Sequence, residues 1–203
     1  GIKLAGPEAV IGDISQSIQE IIESHEIELN KTVYPISPIY GLGGHNILQY
    51  KIHGGKLILS RKTNMKHINE QRMNIGECYA IETFASTGSG NLKQCDIPIT
   101  HYELNEEYAK KNISNFAMKN TQKVYNWIMK NRGTLPFSSK WISEGLPEIK
   151  ENYKIGLAEL MKKKIITGYP ALQDQSKTYT SQMEHTIYLH EYGKEVLSHS
   201  DDY

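Results

Sequence analysis

The stretch Glu77–Thr87, "ECYAIETFAST", runs into "GSG" at positions 88–90. Tyr79, Ile81 and Thr83 alternate there with Ala80, Glu82 and Phe84. A period of two is the signature of a β-strand, and the glycines that follow stop it. Glu82 is the anomaly, a carboxylate in mid-strand among apolar neighbours. Burying an unpaired charge costs several kcal/mol at least, so such a group faces water, finds a partner or binds a metal. The same texture returns at residues 178–190, "TYTSQMEHTIYLH", with Gln182, Glu184 and Thr186 on one face and Met183, His185 and Ile187 on the other. One wet face of an antiparallel sheet would explain either glutamate by itself. Two of them, in segments far apart in sequence, weaken that explanation.

A third stretch, "GLGGHNILQYKIHGG" at 41–55, sets His45 and His53 between glycines. If extended, their even spacing puts both imidazoles on one face. An oxygen-rich site with one imidazole suits Mn, Co, Fe or Zn. No compact ligand motif such as HExxH accompanies these residues, so spacing alone does not define a metal site. His67, His190 and His199 lie in polar stretches and read as surface residues.

The remainder of the 203 residues bounds the function. Lys plus Arg equals Asp plus Glu at 23 each, so no overall field calls for nucleic acid or an anionic membrane. No apolar run approaches the roughly 18 residues of a membrane span, and no leader opens the chain. Cys78 and Cys95 lack metal-type spacing and read as free thiols of a reducing compartment, which points to the cytoplasm. Asn30-Lys31-Thr32 and Asn112-Ile113-Ser114 match the glycosylation pattern by chance on that reading. The chain opens on Gly1, close to a helix, as a fragment would.

Asp13, with Gln16 three positions on, is placed to cap a first helix whose Ile14, Ile18, Ile21 and Ile22 form one apolar stripe. "KTVYPISPIY" is extended, but its prolines exclude a central strand. "KLILS" is a short strand, and residues 61–76 read as a loop or edge. From 104 to 170 the texture changes to two helices with an excess of Lys and Arg, the first stopped by Gly133. These helices should pack through Phe116, Trp127, Trp141 and Leu160. The outline, a helix pair followed by a turn and a hairpin, is that of a winged helix. "GSGNLKQCD" lacks the strand–turn–helix context of a phosphate loop.

Taken in order, "GGHNILQYKIHGG", "GECYAIETFASTGSG" and "YTSQMEHTIYL", with the closing "DDY", resemble the C-terminal part of eukaryotic type 2 methionine aminopeptidases. The resemblance runs from "GDISQSIQEIIESHEIE" to the last residue. It implies an α+β pita-bread fold, formed here by residues 1–103 and 171–203, with a winged-helix-like insertion at 104–170. It implies a hydrolase that removes the N-terminal methionine of nascent polypeptides with a hydroxide activated by two divalent metal ions (Mn, Co, Fe or Zn). His45, Glu82 and Glu184 would be metal ligands, with Glu82 also the general base. His53 would contact the scissile amide, Gln182 would support the site, and His101 and Tyr179 would lie near the methionine pocket. The family's two aspartate ligands and a further histidine have no counterpart here, so the isolated chain should be inactive. The implied enzyme is cytoplasmic, not membrane-bound, monomeric when full length, and associated with the ribosome. The alternative is a non-catalytic pita-bread relative that binds RNA or ribosomes; retention of His45, Glu82 and Glu184 favours the enzyme.

Overall fold

The computed structural model describes residues 1–111 and 116–201. Asn112–Ser114 and the closing Asp202 and Tyr203 lie outside the described residues. In chain order the elements are α1 (Ile11–Glu23), β1 (Glu26–Leu29), β2 (Thr32–Pro35), β3 (Ser37–Pro38), β4 (Gly43–Ile47), β5 (Leu57–Leu59), α2 (Lys66–Asn69) and β6 (Cys78–Ser86). There follow β7 (Lys93–Gln94), β8 (His101–Leu104), α3 (Glu106–Lys111), α4 (Lys119–Asn131), β9 (Phe137–Ser138), α5 (Ser139–Gly145), a 3-10 segment (Pro147–Asn152) and α6 (Tyr153–Lys162). The chain then forms β10 (Ile166–Tyr169), β11 (Leu172–Gln173), β12 (Thr180–His190) and β13 (Gly193–Val196). None of the described helices is long and apolar enough to cross a membrane.

Two compact units emerge, one of residues 1–49, 53–93 and 172–203, the other of 50–52 and 94–171. Sequence texture put the inserted segment at 104–170. The second unit starts earlier because β8 pairs with β10 and the Cys95 amide donates to the Ala171 carbonyl, 2.8 Å away. A change of charge texture does not register those pairings.

The first unit is an antiparallel sheet in the order β13-β12-β6-β4-β5, with β3 also on β6. Helix α1 covers one face. Its Ile11, Ile14 and Ile18 are buried against Ile58, Tyr79 and Ile187, each fully buried side chain contributing about 1.5–3 kcal/mol. Ile21 belongs to the same helical stripe yet is 55% exposed, as is Met183 of β12 on that sheet face. The described core ends before reaching them. The expected capping box is also absent: Val10 is the N-cap, and Asp13 sits in the first turn with no cap bond from a side chain. There Asp13 favours the helix dipole. Gln16 turns instead to Glu20. In the polar stretch 61–76, α2 makes one helical turn and Met73 is fully buried.

The second unit packs α4, α5 and α6 on the three-stranded sheet β10-β8-β9. Val124, Ile128, Phe137, Ile142, Leu160 and Ile165 form its core, with Phe116 and Trp127 packed against it. Trp141 departs from expectation: it is 43% exposed, with the Arg132 guanidinium 4.8 Å above its ring. Ser138 caps helix α5, its hydroxyl accepting from the Lys140 amide, and the helix buries only Ile142. The preceding residue is turned outward. Gly133, at φ +56, supplies the left-handed stop after α4.

Two carboxylates tie the first unit together. Asp174, 5% exposed, accepts from the Ser86 and Ser89 hydroxyls and from the Gly90 and Gln175 amides. The glycine-rich loop is thus folded onto a carboxylate, which explains why it is no phosphate cradle. Burial alone would push the Asp174 carboxyl up, but these four donors outweigh it and hold it below the ordinary value. Burial likewise works against Glu77, and bonds from Lys56, Tyr79 and the Asn74 amide bring its pKa down. A depressed folded-state pKa gives stability that is complete above the unfolded value near ~4 and is lost as pH falls through the folded one. The urea midpoint of this protein should therefore drop below about pH 4, and Asp174→Asn should flatten that slope. An unaltered slope would show that Asp174 titrates alike in both states.

Candidate functional site

The register of the sheet builds the site. In β6 and β12, Glu82 lies directly opposite Glu184 and Phe84 opposite Gln182. In β4, His45 lies opposite Ala80, two residues before Glu82 and on the same face. This face is the one turned away from α1, because Tyr79 and Ile81 occupy the other. His45, Glu82, Gln182 and Glu184 therefore share one surface although Glu82 and Gln182 are 100 residues apart.

Close approach of the strands makes this possible. A Cβ on Gly44 would stand 2.1 Å from the Ala80 carbonyl oxygen and 2.9 Å from the Glu82 nitrogen. A Cβ on Gly43 would stand 2.1 Å from the Ile58 carbonyl oxygen. The two glycines ahead of His45 hold β4 tightly between β5 and β6.

His45 Nε2 lies 3.3 Å from Glu82 Oε1, with the two side chains 8% and 14% exposed. The bond with Glu82 raises the His45 pKa, burial works against it, and the Asn46 carbonyl 3.2 Å from Nδ1 raises it further. Gln182 Nε2 donates to Glu82 and to Glu184 at 3.3 Å each, bridging the two carboxylates. Partial loss of hydration, then the facing charge of Glu82, push the Glu184 carboxyl up, while His45 opposes them. The His53 ring stands edge-on to His45 with centroids 4.2 Å apart.

One imidazole and two carboxylates have the donor chemistry of a borderline divalent ion. Among the described residues, however, no group of three His, Cys, Asp or Glu is arranged to hold a metal ion. Tyr179 stands apart from this cluster, at the foot of β12, where its backbone exchanges bonds with Thr87 and its side chain is 63% exposed. It borders a cleft of about 230 Å³ lined by Ile27, Leu29 and Ile36. His101 belongs to the second unit, opposite Tyr169 and with Nδ1 2.9 Å from the Thr100 hydroxyl. Sequence reading passed over Asn46 and Asp174. An Asp before a Gly-free turn carries no signal of its own, whereas Asn46, beside a singled-out histidine, could have been noticed.

No family model matches the chain. It is 41% identical over 203 residues to a methionine aminopeptidase 2 of Sclerotinia sclerotiorum, covering all of this chain and 43% of that protein. It is 41% identical over 204 residues to a methionine aminopeptidase 2-2 of Neosartorya fischeri, covering 42% of it. The chain thus spans less than half the length of these relatives. Among solved structures, a thermophilic Arx1 superposes with a TM-score of 0.65 at 17% identity, over 96% of this chain and 57% of that one. That likeness establishes the shared pita-bread fold.

Proposed function

Since this chain belongs to the methionine aminopeptidase 2 family along its whole length, we propose that it carries part of the active site of a metal-dependent enzyme that removes N-terminal methionine from nascent polypeptides. The observation that carries the reading is the meeting of His45, Glu82, Gln182 and Glu184 on one sheet face from three separate strands. A solvated face would not need an imidazole packed on one glutamate and an amide shared between two.

His45, Glu82 and Glu184 would hold two divalent ions, Mn, Co, Fe or Zn, with further ligands from the stretch of the relatives that these residues do not span. Such ions, when bound, supply Lewis acidity toward the scissile carbonyl and toward an attacking water. Glu82 would take up the proton released from that water, with Gln182 restraining its second oxygen. His53, next to His45, would hydrogen-bond the scissile amide. Tyr179 and His101 would be substrate-binding residues near the methionine pocket. Ribosome association and a monomeric state of the intact enzyme belong to the same proposal.

Three protein ligands are too few to bind two ions tightly. Residues 1–203 alone should therefore release little or no methionine from Met-initiated peptides in the presence of Mn or Co. The intact protein should give turnover that a chelator abolishes. Robust, chelator-sensitive turnover by the short chain would mean that three ligands suffice, and no turnover by the intact protein would remove the aminopeptidase reading.

A further inference from the structure

Beneath the two imidazoles lies a buried side chain that the reaction does not touch. Asn46 is 4% exposed. In a regular antiparallel pair, Asn46 and Lys56 would exchange both backbone bonds. Only one is made: the Asn46 amide donates to the Lys56 carbonyl at 3.1 Å. The Asn46 carbonyl is engaged elsewhere, by the Gly54 amide at 2.8 Å and by Nδ1 of His45 at 3.2 Å. The Lys56 amide goes to the Asn46 side chain, Oδ1, at 2.8 Å. The carboxamide thus stands in for a backbone carbonyl and absorbs the irregularity where the chain returns from His53 to β5.

The geometry of His45 depends on that substitution. A carbonyl can only accept, so the Nδ1 that faces Asn46 donates its hydrogen there, and this fixes the ring with Nε2 turned to Glu82. The same carbonyl holds Gly54, the residue after His53, whose ring meets His45 at 4.2 Å. Gly54 lies flush against the carboxamide: a Cβ there would stand 2.5 Å from Asn46 Nδ2.

We propose that Asn46 is a positioning residue, whose side-chain oxygen holds the return segment so that one backbone carbonyl orients both His45 and His53. The consequence for catalysis rests on the roles proposed above for the two imidazoles. The placement of the rings does not.

The test compares Asn46→Leu, of similar shape without an acceptor, with Asn46→Asp, which keeps the oxygen, in the intact protein. The first readout is NMR: the nuclear Overhauser contact between the His45 and His53 rings, and the slowed exchange of the His45 Nδ1 proton held by the Asn46 carbonyl. Asn46→Leu should lose the contact and the slowed exchange, and Asn46→Asp should keep both. Peptide turnover should fall about 10–100-fold in Asn46→Leu, the usual effect of removing a group that orients a metal ligand, with kcat falling more than KM rises. Gly54→Ala covers the case in which Asn46→Leu does not fold, since its methyl group displaces the carboxamide without removing it. Gly54→Ala should likewise lose the ring contact. Retained contact and slowed exchange in Asn46→Leu or Gly54→Ala, or equal loss in Asn46→Leu and Asn46→Asp, would overturn the proposal. Loss of contact in a protein that hydrolyses no peptide even as wild type would leave the positioning role standing and sink the aminopeptidase reading.

Discussion

Glu82→Gln, Glu184→Ala or His45→Ala in the intact protein should each lower kcat/KM for Met-initiated peptides by about 10²-fold or more. That is about 2.7 kcal/mol of transition-state stabilisation, at the low end of what one acid–base group contributes. For Glu184 the fold should not suffer in parallel. Glu184 is an exposed residue facing a second carboxylate, with only the Gln182 amide between them. Removing one of two facing carboxylates relieves repulsion, so Glu184→Ala should unfold at or above the wild-type denaturant midpoint. Lost activity without lost stability is the pattern of a group kept for chemistry. Unimpaired hydrolysis by Glu184→Ala, measured with saturating Mn or Co, would remove the paired carboxylates from the mechanism.

The second large effect belongs to a residue without a side chain. Gly44→Ala should destabilise the protein by about 3 kcal/mol or more, at the upper end of overpacking costs. Its methyl carbon would sit 2.1 Å from the Ala80 carbonyl oxygen. The obstacle is backbone in a central strand, which cannot rotate aside as a flexible side chain could. Relief requires β4 and β6 to part, and that separates His45 from Glu82 as well. Activity should therefore fall together with stability, unlike in Glu184→Ala. Denaturant unfolding checks this, and a midpoint shift worth less than about 1 kcal/mol would show that the strands can part cheaply.

The contrast between these variants is one between local and non-local information. Alternation along Glu77–Thr87 and residues 178–190 was enough to identify β6 and β12, because a half-buried strand imposes its period on its own residues. That alternation also singled out Glu82 and Glu184, since a carboxylate in such a run is locally anomalous. Order and content of the three motifs together pointed to the family. The cap of α1 was misread because an Asp–Gln spacing of three is common, and which residue begins the helix depends on Gln71, whose carbonyl takes the Ile11 amide. The exposure of Trp141 could not be read either, because a short helix can turn either face inward until its neighbours choose.

Chain alone determined that two strands would each carry a misplaced carboxylate and that glycines would precede His45. Tertiary structure decided that Glu82 and Glu184 face each other, that Gln182 spans them, and that His45 comes within 3.3 Å of Glu82. The physical reason is register. A slip of one residue between β6 and β12 would leave each strand's pattern intact while sending the two carboxylates to opposite faces. What prevents the slip is the burial of Tyr79, Ile81, Ile187 and Leu189 beneath α1, a contact spread over most of the chain.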